Sequence, residues 1–166
     1  MSINPMITSP IKNFPGWQSV VVLITLLVFS SATAQQGPQP RLPTVELLAG
    51  MHVIQAEVAR THNEHSQGLM YRRTLRSNEG MLFVYEDSQV RCFWMHNTYL
   101  PLTIAFIAGD GSIVNFKDMQ PQTEQSHCST QPVRYALEMN QGWFSERGLK
   151  PGFKLQGLPF TPASAQ

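Results

Sequence analysis

Cys92, Met95, His96 and His127 are the side chains in this sequence best equipped for chemistry. Thiolate, thioether and imidazole are soft ligands, and with Met119 or Met139 close by they would suit Cu(I). The histidines offer a second reading, a small enzyme in which His96 or His127 acts as base and Asp118 or Glu138 orients it. A third reading withdraws the thiols from chemistry. Cys92 and Cys128 are an even pair, and outside the cytoplasm such a pair is more often a disulfide than a metal or redox site. Methionine on an apolar strand is usually core filler, which weighs against copper. The sequence contains no Gly-x-Ser-x-Gly, His-Glu-x-x-His, glycine-rich phosphate loop or Cys-x-x-Cys. No metal site and no cofactor is therefore expected.

Trp94, His96, Asn97 and Thr98 are a candidate of another kind. Three polar residues, Asn97, Thr98 and Tyr99, interrupt the longest apolar stretch of the second half, beside the bulkiest aromatic. Hydrogen-bonding groups next to an aromatic plane are the composition of an edge that binds a small molecule or peptide. The plainer account is that Asn97 and Thr98 satisfy backbone groups at an elbow between strands. With His127 on the following loop, these residues make up the candidate ligand-binding set. Elsewhere, His62 and His65 sit three apart with no Asp, Glu or Cys partner at ligand spacing, and are expected in a solvated first turn of a helix. Arg72, Arg73 and Arg76 are the one basic cluster. They are expected on a solvated face, or with one Arg paired to a buried carboxylate; an anion site is the sharper alternative.

The elements that must position these residues are short. Val45–Ala59 reads as two strands around a turn at Ala49-Gly50, with Ile54, Ala56 and Val58 on one face. Thr61-x-x-Glu64 is a capping box ahead of a helix over about Asn63–Met70. Met81–Tyr85, Val90–Met95, Leu102–Ile107, Ile113–Lys117, Arg134–Met139 and Phe153–Gln156 read as further strands, with a hairpin signal at Ala108–Gly111. In Ile113–Lys117, Ile113 and Asn115 are expected to face opposite Val114 and Phe116. Gly142–Arg147 reads as a short helix ending at Gly148, and Lys150-Pro151-Gly152 as a turn. Between Asp118 and Pro132 no period is visible, and a loop of that length is more often functional or pinned than idle. This pattern predicts an all-β-dominated fold, an antiparallel β-sandwich or barrel-like roll with one or two short helices.

Length and charge bound the rest. The 166 residues suffice for one domain, and 42% apolar residues can supply its core. With 12 Lys+Arg against 11 Asp+Glu, no broad attraction to nucleic acid or anionic lipid is expected. Residues 1–34 read as a signal peptide. Lys12 precedes Val20–Phe29, VVVLITLLVF, and Ala32-Thr33-Ala34 supplies the small residues before cleavage. That apolar core is short for a membrane span of roughly 20 residues, so cleavage after Ala34 should leave no stable membrane anchor. Residues 35–43 are expected as a flexible leader, 44–157 as the β domain and 158–166 as a frayed tail.

Several motifs together resemble a known family. They are Gly68-Leu69-Met70-Tyr71-Arg72, Gly80-Met81-Leu82-Phe83, Phe93-Trp94-Met95-His96-Asn97-Thr98 with Pro101-Leu102, and Ala105-Phe106-Ile107. Gly111, Ile113, Val114, Pro121, Tyr135, Ala136, Leu137, Glu138 and Gly142 continue the order. The chain is in this respect similar to the domain of unknown function 192 family, from about Leu47 to Gly157. The resemblance implies a compact bacterial domain, often exported, with a β-sandwich-like fold and no established catalytic residues. His96 departs from the family pattern, which usually has a basic Lys or Arg there. The reading is thus a periplasmic or secreted binding or accessory module, its partner an unspecified small molecule or periplasmic protein. The small enzyme stands second and copper third.

Overall fold

The computed structural model describes residues 37–159. The expected signal peptide, the first two leader positions and residues 160–166 lie outside them. In chain order the elements are β1 (Thr44–Ala49), β2 (His52–Ala59), α1 (His62–Gln67), β3 (Glu79–Gln89), β4 (Cys92–Phe93), β5 (Leu102–Ile107), β6 (Ile113–Met119), β7 (His127–Cys128), β8 (Val133–Asn140) and α2 (Trp143–Glu146). Strands dominate and the two helices are short, as expected. Six strands form one open sheet in the order β1-β2-β3-β8-β5-β6, and β4 pairs with β7 in a second, two-stranded sheet.

The six-stranded sheet is mixed rather than wholly antiparallel, because β2 and β3 run parallel. Parallel neighbours cannot be joined by a hairpin and need a crossover. The segment from Arg60 to Asn78, which carries α1, supplies it. The capping box forms as read: Thr61 Oγ1 accepts from Glu64 N at 3.3 Å, and Glu64 Oε2 accepts from Thr61 N at 2.8 Å. At the other end of the sheet, β5 and β6 make the hairpin marked by Ala108–Gly111. A register irregularity between Phe106 and Ile107 shifts the alternation of β6. Ile113 and Phe116 consequently pack on the same side, against the reading that placed them on opposite faces.

Both faces of this sheet are buried. Leu47, Ile54, Ala56, Leu82, Ile107 and Leu137 point to one side, where Trp143, Phe144, Leu155 and Leu158 close over them. Met81, Phe83, Ile104, Phe106 and Ala136 point to the other, where Leu69, Met95 and the partly buried Phe93 cover them. Burying each such side chain stabilises by about 1.5–3 kcal/mol. Leu158 is thus a core residue, and Pro159 accepts a hydrogen bond from Tyr135 Oη at 3.3 Å, so the chain is packed to the end of the described residues. Phe153–Gln156 is no full strand: it contributes single bridges, Leu48 to Gln156 and Ser112 to Lys154.

The described part of the leader is also tied down. Gln39 is buried and donates to the Gly68 carbonyl at 2.8 Å, while Gln67 Nε2 donates to the Gly37 carbonyl at 2.6 Å. The Arg41 guanidinium lies 2.7 Å from Glu57, whose carboxylate is almost sealed on β2. Arg72 reaches the other oxygen of Glu57 at 2.9 Å, and Leu42 N donates to that same oxygen at 2.9 Å. The basic cluster therefore contains one Arg spent on a buried carboxylate, while Arg76 stays exposed beside Glu79. Replacing Arg72 by Leu should take away the buried cation of the Glu57 carboxylate, leaving half-exposed Arg41, and cost about 3 kcal/mol. Arg41→Ala, at a residue with 55% of its side chain exposed, should cost less than about 1 kcal/mol. Urea unfolding of the two variants checks the contrast, and equal losses would refute this division of labour.

Candidate functional site

The two-stranded sheet sets the geometry around the candidate residues. Cys92 and Cys128 are register partners and are joined by a disulfide, and Phe93 pairs with His127. With a sequence separation of 36, the closed loop contributes about 4 kcal/mol in the chain-entropy model. The strand expected over Val90–Met95 shrinks to two residues because its only partner is this short loop strand. Beyond it the loop stays pinned: Met95 N donates to Thr123 O at 2.9 Å and Gln122 N to Thr98 O at 3.0 Å.

The elbow holds its residues by backbone geometry. Asn97 has φ +53°, which Asn tolerates better than most residues. Its Nδ2 donates to Tyr71 Oη at 2.7 Å, and Tyr71 N donates back to the Asn97 carbonyl at 2.8 Å. Asn97 thereby ties the elbow to the end of the α1 crossover. Trp94 is 53% exposed and stacks on His96 with ring centroids 5.2 Å apart. His96 Nδ1 faces Glu124 at 3.4 Å near solvent. His127 is buried, and its Nε2 has no hydrogen-bond partner among the described residues. Burial, then the charge of Lys117, pushes the His127 imidazole below its usual range. Asp118 accepts from Thr103 Oγ1, which in turn accepts from Gly142 N at the start of α2. Among the described residues the acid–base pairs of the enzyme alternative, His96 or His127 with Asp118 or Glu138, are accordingly not assembled. Nor is the soft-ligand set, since both sulfurs of the cysteines are bonded, Met95 and Met119 are core residues, and Met139 packs on the opposite face.

The site that does assemble centres on Glu138. Its strand, β8, lies between β3 and β5, and its register partners there are Met81 and Ile104, both apolar. Glu138 is 5% exposed and has no ion-pair or hydrogen-bond partner among the described residues. Its side chain lines a cavity of about 40 Å3, together with His65, Phe83, Phe93, Trp94 and Thr98. Of its lining residues Trp94 is half exposed, whereas Glu138 is buried. A space of that size admits a few water-sized groups. Of the candidate ligand-binding set, Trp94 and Thr98 reach this cavity, whereas His96, Asn97 and His127 do not line it; Glu138, named from sequence only as an orienter for a catalytic His, does. His65 was expected in a solvated turn. It instead packs against Tyr85, with centroids 4.5 Å apart, and its Nε2 lies 3.0 Å from the Ala59 carbonyl. A carbonyl only accepts, so Nε2 carries the proton in that contact. One signal for Glu138 was present in the sequence: a carboxylate set between the apolar Tyr135-Ala136-Leu137 and Met139.

Residues 45–157 match the model of DUF192, a family described as Uncharacterized ACR. This chain belongs to the DUF192 family. A solved structure from Sinorhizobium meliloti, provisionally called a transcription regulator, is 36% identical. It is matched with a TM-score of 0.67, over 72% of this chain and 97% of that one. A protein of unknown function from Novosphingobium aromaticivorans is 34% identical, again with a TM-score of 0.67, over 72% of this chain and 91% of that one. No curated protein matches the chain. The family carries no established activity, so the chemistry of the cavity has to be read from its own residues.

In this DUF192 domain, burial alone pushes the Glu138 carboxyl up to about 8. The folded protein keeps a proton there that the unfolded chain releases from about pH 4.5 upward. Stability should thus decline as pH rises toward 8, by up to about 1.4 kcal/mol per pH unit, and level off above it. His65 works in the other direction. Burial holds its imidazole below the usual range, so stability is lost as pH falls below about 6.5. His127, depressed likewise, acts in the same direction, so the carboxyl slope should dominate only between about pH 7 and 8. Glu138→Gln should abolish that slope and leave the variant the more stable protein at pH 8, measured by urea unfolding across the window. An unchanged slope in the variant would assign the pH dependence to another group.

Proposed function

We propose that this protein is an exported binding module whose ligand enters the cavity over Glu138 past Trp94. One observation carries the reading: a buried carboxyl without a partner in the lining of a small cavity. A ligand that supplies a partner to this largely desolvated carboxyl gains a charged hydrogen bond of about 1.5–3 kcal/mol. A half-exposed Trp at the entrance, next to Thr98, adds an apolar plane and a hydroxyl of the kind that orients small ligands. The disulfide and the signal-like segment support an oxidising compartment outside the cytoplasm. In this reading residues 35–43 lead into a single domain over 44–157. The balanced charge of the chain gives no support to a nucleic-acid partner.

Two measurements test the reading. Protein recovered from a periplasmic fraction should begin at Gln35, and recovery of the full-length mass from membranes would refute export. For binding, a panel of two- to four-carbon probes bearing ammonium, carboxylate, amide or hydroxyl groups can be titrated against 15N-labelled protein. At least one class should shift the Trp94 indole together with the amides of Gly68, Leu69 and Phe93. Shifts confined to another surface, such as the groove beside Asp110 and Lys154, would move the site elsewhere. No shift with any probe would end the binding proposal.

A further inference from the structure

We infer that the cavity takes a primary alkylammonium group, with Glu138 as its counter-ion and aromatic side chains as its walls. The inference rests on the binding reading above and names the ligand chemistry for the same site. Charge is the first argument. Among the described residues no Lys or Arg lines the cavity, and the titratable groups that do are Glu138 and His65. Tyr85, further along β3, also feels the Glu138 charge, and burial has pushed its phenol up to about 12, so it stays neutral. Neutral His65, held at the Ala59 carbonyl, leaves a carboxylate at Glu138 as the one charge the cavity lining can develop. Arg91, whose guanidinium lies 3.9 Å from the Tyr85 ring centroid and pairs with Asp87, stands outside that lining. An anionic ligand would meet nothing to neutralise it, while a cation would meet an unpartnered carboxyl.

The walls are the second argument. Phe83, Phe93 and Trp94 all line the same small space, with Phe83 and Phe93 in edge contact at 4.8 Å. Aromatic rings around a cation contribute about 0.5–2 kcal/mol each way from exposed to desolvated sites, and they do nothing comparable for an anion. Size narrows the class further. About 40 Å3 accommodates an ammonium and its first methylenes, but not a bulky quaternary head, and the remaining stem would run out past Trp94. Binding at neutral pH has a defined proton balance. The ammonium keeps its three protons, the carboxyl gives one to the buffer, and the product is an ammonium–carboxylate pair. Affinity should accordingly rise with pH as the carboxyl becomes easier to ionise.

The test uses n-butylammonium, its neutral counterpart n-butanol and the anion butyrate, on the mature protein. Calorimetry and 15N shifts at about pH 7 and about pH 8.5 should show butylammonium binding roughly tenfold tighter than butanol, and butyrate not at all. Calorimetry in buffers of different ionisation heat should find up to one proton released at the lower pH. Glu138→Gln should lose at least about tenfold in affinity for butylammonium and abolish the proton release. Trp94→Ala, at a half-exposed position that leaves the core intact, should weaken it several-fold and guards against a folding effect in the first variant. Nα-acetyl-lysine methylamide, whose ε-ammonium is free, and putrescine separate the two sources of the group. Tighter binding of the lysine derivative points to a polypeptide side chain, and tighter binding of putrescine to a free amine. If butanol or butyrate shifts the cavity resonances as strongly as butylammonium, and Glu138→Gln changes nothing, the ammonium assignment is overturned while the binding module stands. If no probe perturbs the cavity, both fail together.

Discussion

A side chain on Gly80 would collide with Met139 Sδ and stand 2.5 Å from the Glu138 carbonyl oxygen, so β3 and β8 lie side by side only because residue 80 has none. Much of the structure depends on that approach. It fixes the register in which Met81 faces Glu138 and Phe83 faces Ala136. Side chains alternate along a strand, so the same register sends Glu138 to the face shared with Phe83 and Ile104. A shift of one residue would deliver Leu137 to that face and leave the carboxyl among Trp143, Phe144 and Leu158.

A sheet buried on both faces leaves its polar side chains few solutions, and this protein uses two. Glu57 on β2 is neutralised by Arg72 and Arg41 and accepts a backbone N–H, so a buried charge becomes a clamp on the leader and the crossover. Glu138, two strands away, has no such partner and stays protonated instead. The same residue type thus serves structure at one position and stores an unmet interaction at the other. Desolvation acts on both, and only Glu57 has cations within reach.

The layer over Glu138 is held by connections rather than by regular structure. The disulfide joins β4 to β7, the Thr123 carbonyl and the Gln122 amide of the loop pair with Met95 and Thr98, and Asn97 and Tyr71 bond to each other across the elbow. These ties leave Trp94 exposed beside a cavity instead of drawn into the core. The long segment after Asp118 is therefore pinned along most of its length, which is what lets an irregular wall keep a defined opening.

The sequence by itself determined the local features: the strands around β1, β2, β5, β6 and β8, the capping box at Thr61, the Ala108–Gly111 hairpin, the left-handed Gly148 after α2 and the family motifs. These depend on near neighbours in the chain, whose periodicity and turn chemistry are visible in one dimension. The cysteine pairing was legible too, because two cysteines allow a single intramolecular bridge. Tertiary structure decided the rest. The parallel pairing of β2 with β3, the flip of Phe116 at an irregular register and the shortening of the strand at Cys92 all follow from what lies alongside each strand. The site was decided the same way. Trp94 and Thr98 were in view as candidates, but His65 joined them by packing on Tyr85, and Glu138 did so through the spacing of β3, β8 and β5. Whether a carboxylate is paired, like Glu57, or solitary, like Glu138, depends on residues at least fifteen positions away in sequence, and no local pattern encodes that distance.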